Sequence, residues 1–110
     1  MHSGHRAVLA ALALSLLAPC GAIAQKYPSR PVRIVVGFAP GGATDIAARA
    51  IAQKLGDTLG GSFIVDNRPG AAGNIGAEIV AKANPDGHTL LMANSTIAIP
   101  ALFARLPFDI

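Results

Sequence analysis

Residues 32–49 read Val-Arg-Ile-Val-Val-Gly-Phe-Ala-Pro-Gly-Gly-Ala-Thr-Asp-Ile-Ala-Ala-Arg. A short β-branched run ends in a glycine-rich turn, and the turn opens directly into an alanine-rich helical pattern with Asp45 in its first turn. The order is strand, tight loop, helix N-terminus. Gly41 and Gly42 let the backbone approach a ligand without a Cβ in the way, and the first amides of the helix lack intrahelical partners. Such donors, with the helix dipole behind them, suit a carboxylate or phosphate. The same residues also serve as plain turn and cap chemistry. A second copy of the order favours the first reading: Phe63, Ile64 and Val65 lead through a loop at 67–73 to a helix from about Asn74.

Of the 110 residues, 52% are hydrophobic, and one end inflates that fraction. His2, His5 and Arg6 precede an apolar run at 7–18, followed by Pro19-Cys20-Gly21 and Ala22-Ile23-Ala24. A basic start, an apolar segment too short to span a membrane stably and a small-x-small site make residues 1–24 a secretory signal peptide. Leu17-Ala18-Pro19-Cys20 loosely matches a lipoprotein site, but Pro19 fits that poorly. Cleavage after Ala24 removes the single cysteine and leaves His88 as the sole histidine, so no disulfide and no Cys or His metal cluster is expected. The remaining charges are dispersed, and no basic run or aromatic-interleaved basic patch supports nucleic-acid binding. An export signal without a second apolar span points to the periplasm or the exterior of a bacterial cell.

Residues 26–31, with Pro28 and Pro31, form an extended lead-in. A strand over 32–38 carries Ile34-Val35-Val36, a run suited to burial on both faces of a parallel sheet. A helix follows to about residue 59. In it Ala47, Ile51, Leu55 and Leu59, flanked by Ile46 and Ala50, make the expected buried stripe, while Arg49, Gln53, Lys54 and Asp57 face water. Gly60-Gly61 stops it. Next come a strand at 62–65 and a loop at 66–73, where Arg68 meets an acidic solute, pairs with Asp66 or clamps the loop's own carbonyls. A helix at 74–83 buries Ile75, Ile79, Val80 and Ala83 and carries Glu78 and Lys82 as a surface pair. After a turn at Pro85-Asp86-Gly87, a third strand is expected at 88–92, then a loop at 93–96 and a short helix at 97–103. Parallel βαβ units gather their strand-to-helix loops at one sheet edge, the usual ligand site of open α/β sheets.

Several chemistries lack their motifs. There is no Gly-x-x-x-x-Gly-Lys-Ser/Thr, and the glycines at 70, 73 and 76 are three apart rather than in the dinucleotide spacing. Ser95 has no Gly-x-Ser-x-Gly elbow, and His88 falls at the far end of its strand from the loops, so a serine hydrolase triad has no members. Asp45 and Asp66 are the only candidates for acid–base work at this end.

Five ordered segments carry a resemblance: 27–36 (Tyr-Pro-Ser-Arg-Pro-Val-Arg-Ile-Val-Val), 40–45 (Pro-Gly-Gly-Ala-Thr-Asp), 65–76 (Val-Asp-Asn-Arg-Pro-Gly-Ala-Ala-Gly-Asn-Ile-Gly), 83–91 (Ala-Asn-Pro-Asp-Gly-His-Thr-Leu-Leu) and 106–109 (Leu-Pro-Phe-Asp). In order and spacing they resemble the N-terminal part of the Bug family, the periplasmic solute-binding receptors of tripartite tricarboxylate transporters. The resemblance implies a fold of class α/β: the N-terminal part of domain 1 of a type II periplasmic binding protein, three-layered, with a mainly parallel βαβαβ sheet.

It also implies a nonenzymatic receptor for a small organic carboxylate, working with the membrane components of such a transporter and needing no cofactor. Carried onto this sequence, the ligand contacts are Ala39, Gly41, Gly42, Thr44 and Asp45 in the first loop and Gly73 and Asn74 in the second, with Asn94, Ser95 and Thr96 adding solute-specific contacts. Family members often have a His and an Asn-Pro pair just beyond, where this chain reads Ile97-Ala98-Ile99-Pro100. They are also roughly three times as long, so residues 25–110 are expected to be a partial first domain, monomeric if complete, with return strands and second domain absent. The alternatives are a small exported α/β enzyme acting on an anionic substrate, or a nonfunctional remnant.

Overall fold

The computed structural model describes residues 24–99 and 107–108. The expected leader and most of the expected last helix lie outside the described residues. The element order is β1 (Val32–Val36), α1 (Ala43–Leu59), β2 (Phe63–Asn67), a 3₁₀ turn (Ala71–Gly73), α2 (Asn74–Ala81), β3 (Thr89–Met92) and a second 3₁₀ turn (Ser95–Ile97). The sheet is parallel with order β2-β1-β3.

The apolar run of β1 suits its central place: Val32, Val35 and Val36 are fully buried and Ile34 nearly so. Alternation along the pleat gives each face its own helix. Ile34 and Val36, with Phe63 and Val65 of β2 and Leu90 and Met92 of β3, pack against Ala48 and Ala52 of α1. On the opposite face α2 packs on β1 and β3. Three layers result, and the chain winds first to one side of β1 and then to the other, so the strand order reverses between β1 and β3.

The helix faces differ from those expected. On α1 the buried residues are Asp45, Ala48 and Ala52, whereas Ile46 is 62% exposed and Ile51 and Leu59 are also exposed. Two alanines let the helix sit close to the sheet, and Asp45, drawn inward by hydrogen bonds, fixes its rotation. On α2, Gly76 and Ala77 are buried and Ile75 is exposed. A Cβ on Gly76 would stand 3.0 Å from the Gly37 Cα, so close approach to β1 selects the small side. This helix ends at Ala81 rather than 83, and Glu78 and Lys82 form the expected surface pair.

Strand limits also shift. β1 ends at Val36 rather than 38: Arg68 N–H donating to Val36 O at 2.7 Å is the last rung of its ladder with β2, and beyond it Gly37 is packed against Gly73. β2 runs on through Asp66 and Asn67, expected as loop, because both polar side chains find partners on neighbouring elements. Asp66 is paired by Arg33 of β1 and by Arg68. Burial tends to raise the Asp66 pKa, but the two guanidinium groups outweigh it and hold the carboxyl below its ordinary value.

The lead-in straps the opposite end of the sheet. The Tyr27 hydroxyl donates to Gly87 O at 2.7 Å, its ring lies edge-on to His88 at 5.2 Å, and Arg30 pairs with Asp86 at 2.5 Å. The backbone N–H of His88, joined by Arg30, keeps the Asp86 carboxyl below its ordinary pKa. His88 is therefore buried at the end remote from the loops, as the sequence implied.

Candidate functional site

Three connections leave the C-terminal ends of the strands: 37–42 after β1, 68–73 after β2 and 93–94 after β3. They meet in space. Gly73 is packed under Phe38, since a Cβ there would stand 3.1 Å from the Phe38 ring, and the Thr96 hydroxyl comes within 3.5 Å of Ala72 O.

In the first connection Gly41 has φ +88°, and Gly42 is the N-cap of α1, offering no side-chain cap. Residues 39–43 are exposed and Thr44 is half-buried. The N–H groups of Ala43, Thr44 and Asp45, the first three helical residues, are thus left without a side-chain acceptor from the N-cap.

The Asp45 side chain, by contrast, is turned away from solvent and only 3% exposed. Its Oδ2 accepts from Gly41 N–H at 2.9 Å and Arg49 Nε at 3.0 Å, and its Oδ1 accepts from Asn67 Nδ2 at 3.0 Å. The Arg49 hydrogen bond, then the Gly41 amide, then Asn67 lower its pKa to about 2. Asn67 also donates to Phe38 O at 3.1 Å and accepts from Arg49 Nη2 at 3.2 Å. Arg49 is exposed, as expected, but bridges Asp45 and Asn67. Asn67 does not stand out in the sequence. The signal that could have found it is that a strand-end amide has to satisfy its polar groups locally.

The second connection is conformationally unusual. Gly70 and Gly73 have φ of +132° and +95°, and between them Ala71 and Ala72 also lie in the left-handed region, at +49° and +55°. Left-handed alanines are strained, and they persist only where the surroundings impose them. Gly73 is the N-cap of α2 and, like Gly42, gives no side-chain cap. The Oδ1 of Asn74 is buried without a hydrogen-bond partner among the described residues. In the third connection Asn94 Oδ1 accepts from Thr96 N–H at 3.0 Å and from its hydroxyl at 2.5 Å, while Ser95 is exposed.

The structure therefore gathers the ten residues singled out from sequence at one sheet end, with two helix starts that lack a side-chain cap among them; at α2 the first amide, Asn74 N–H, is taken by Ala71 O. Arg68, for which an acidic solute was the alternative partner, is paired with Asp66 at 3.0 Å. A separate open groove of about 580 Å³ runs between α1 and the edge strand β2, lined by Ala52, Gln53, Gly56, Ser62 and Phe63 among others. It lies along the flank of the sheet rather than at the loops.

Residues 47–110 match the family model described as tripartite tricarboxylate transporter family receptor. A UPF0065 protein of Bordetella bronchiseptica is 46% identical over 104 residues, which are 93% of this chain and 31% of that protein. Among solved structures, one described as a periplasmic transporter superposes with a TM-score of 0.70 at 49% identity, over 76% of this chain and 29% of that one. MatC from Rhodopseudomonas palustris with bound malate superposes with a TM-score of 0.66 at 42% identity, over 76% and 29%. The chain thus spans under a third of the length of the relatives it matches.

Proposed function

We propose that this chain, which belongs to the tripartite tricarboxylate transporter receptor family, binds a small organic carboxylate at the convergent ends of β1, β2 and β3. The observation that carries the reading is the N-terminus of α1, which opens at this sheet end from a glycine N-cap without a side-chain cap, with the start of α2 beside it. A carboxylate supplies two acceptor oxygens and a full negative charge to such donors.

In this reading Ala39, Gly41 and Gly42 shape the first wall, and the backbone N–H groups of Ala43, Thr44 and Asp45 hold the anion. Asp45 thus takes part through its backbone, its carboxylate being engaged by Gly41, Arg49 and Asn67. Gly73 and Asn74 form the second wall, with the buried Asn74 Oδ1 free to accept from a ligand hydroxyl or a bridging water. Asn94, Ser95 and Thr96 line the third. Malate, bound in the similar MatC structure, has the size and chemistry for such a site. The role is that of a nonenzymatic receptor, exported to the periplasm through the leader at 1–24 and recognised by the membrane components of a tripartite transporter.

The test is a thermal melt of the chain with L-malate, succinate, citrate and, as neutral control, succinamide. A ligand bound only by the native state raises the midpoint with concentration. A rise with at least one acid and none with succinamide is expected; identical melts in all four would sink the reading.

A further inference from the structure

Asn67 ends β2, opposite Val36 in the register, on the face that α1 covers. A register slip of one residue would turn its side chain to the other face of the sheet, so the strand pairing itself delivers this amide to the first loop. There it reaches three separate points of the β1–α1 connection. Its two N–H bonds go to Phe38 O, at the mouth of the loop, and to Asp45 Oδ1, in the first turn of α1. Its carbonyl oxygen accepts from Arg49, one turn further along. Both N–H groups and the carbonyl oxygen of the amide are thus engaged within the chain.

Resting on the reading of this sheet end as a carboxylate site, we propose that Asn67 is a positioning residue for that site, holding the Asp45 carboxylate so that it captures the Gly41 amide and fixes the first loop. The two oxygens of Asp45 divide the work. Oδ1 is held by Asn67, and Oδ2 holds Gly41 N–H at 2.9 Å. The Gly41 N–H is thereby turned toward the Asp45 carboxylate, and the first amides of α1 keep no side-chain acceptor from the N-cap. Arg49 closes the triangle by donating to both Asp45 and Asn67, which keeps the carboxylate ionised and its orientation single. Without Asn67 the carboxylate keeps Arg49 but loses the donor that sets its rotation, and the Gly41 amide is released part of the time.

The test compares the ¹³C,¹⁵N-labelled chain with its Asn67→Ala variant, using three readouts. In the absence of ligand, the Gly41 amide should exchange about tenfold faster in the variant, while the Val35 amide in the central strand keeps its rate. The titration of the Asp45 carboxyl, followed by carbon NMR, should move upward from about 2. Calorimetry with L-malate should show affinity reduced about tenfold, the loss expected from one released hydrogen bond. Unchanged Gly41 exchange and Asp45 titration in a folded variant would overturn the proposal. Should the Ala variant not fold, Asn67→Gln, which displaces the amide by one methylene, is judged by the same two signals. Movement of both signals in a chain whose wild type ignores malate would uphold the positioning role and count against the carboxylate reading alone.

Discussion

The Cα of Gly73 lies 2.8 Å from the point where a Cβ on Gly37 would stand. This contact seats the start of α2 on the end of β1 and brings the second loop against the first. Gly37→Ala must push two backbones apart, so we expect a loss of about 1–3 kcal/mol, read as a lower urea midpoint at unchanged slope. Unaltered stability would mean that the loops cross less tightly than this contact requires.

Asp45 gives a pH signature. Its folded pKa is depressed to about 2, so its stabilising contribution is complete above its unfolded pKa and is lost as pH falls through the folded value. The window runs from roughly pH 4 down to about 2, the upper limit being the ordinary carboxyl value. Asp66 and Asp86 are depressed as well and contribute in the acid range. The informative quantity is therefore the difference between the wild type and Asp45→Asn. Denaturation midpoints followed from about pH 6 to about pH 2 should fall less steeply in the variant, and parallel curves would remove Asp45 from the account.

The two glycines of the first loop should not be equivalent. Gly41 has φ +88°, and a Cβ there would meet nothing within 4 Å, so Gly41→Ala costs only backbone strain, about 1–2 kcal/mol. Gly42 has φ −77° and the nearest obstacle to a Cβ, Ala39 O, is 3.7 Å away, so Gly42→Ala costs only the poorer N-cap that alanine makes, less than about 1 kcal/mol and less than Gly41→Ala. Chemical denaturation of both variants checks the contrast, and equal effects would contradict the loop conformation.

On α1, size and burial are inverted, and substitutions should show it. Ala48→Leu overfills the contact with Ile34 and Val36 and should cost about 1–3 kcal/mol. Ile46→Gln, on a residue 62% exposed, should change stability by no more than about 0.5 kcal/mol. If Ile46→Gln proves the more damaging of the two, α1 presents a different face to the sheet.

That inversion marks how far the sequence is legible. β1 was legible because a β-branched run between Pro31 and Gly37 has few alternatives, and the start of α1 because Pro40-Gly41-Gly42 leaves only one way on. The rotation of α1 was not, because its apolar residues are spread around the helix and its buried face is chosen by Asp45, whose partner Asn67 is 22 residues distant. The end of β2 was obscured likewise: Asp66 reads as loop until Arg33, 33 residues earlier, is seen to neutralise it. The gathering of the loops followed from parallel topology alone, whereas the left-handed alanines at 71 and 72 left no trace in residue type.

The strap of Tyr27, Arg30, Asp86 and His88 occupies one end of the sheet, and the glycine connections occupy the other. One end is filled with side chains that touch each other; at the other the glycine connections take their course from backbone conformation, with Asp45, Arg49 and Asn67 bracing the first of them. In a library randomised along the whole chain, the two ends would leave different records. Changes at the strap should be tolerated by degree, each amino acid ranked by how much contact it restores. Changes at the connections should be accepted or refused outright, because a dihedral angle and a van der Waals radius admit few compromises.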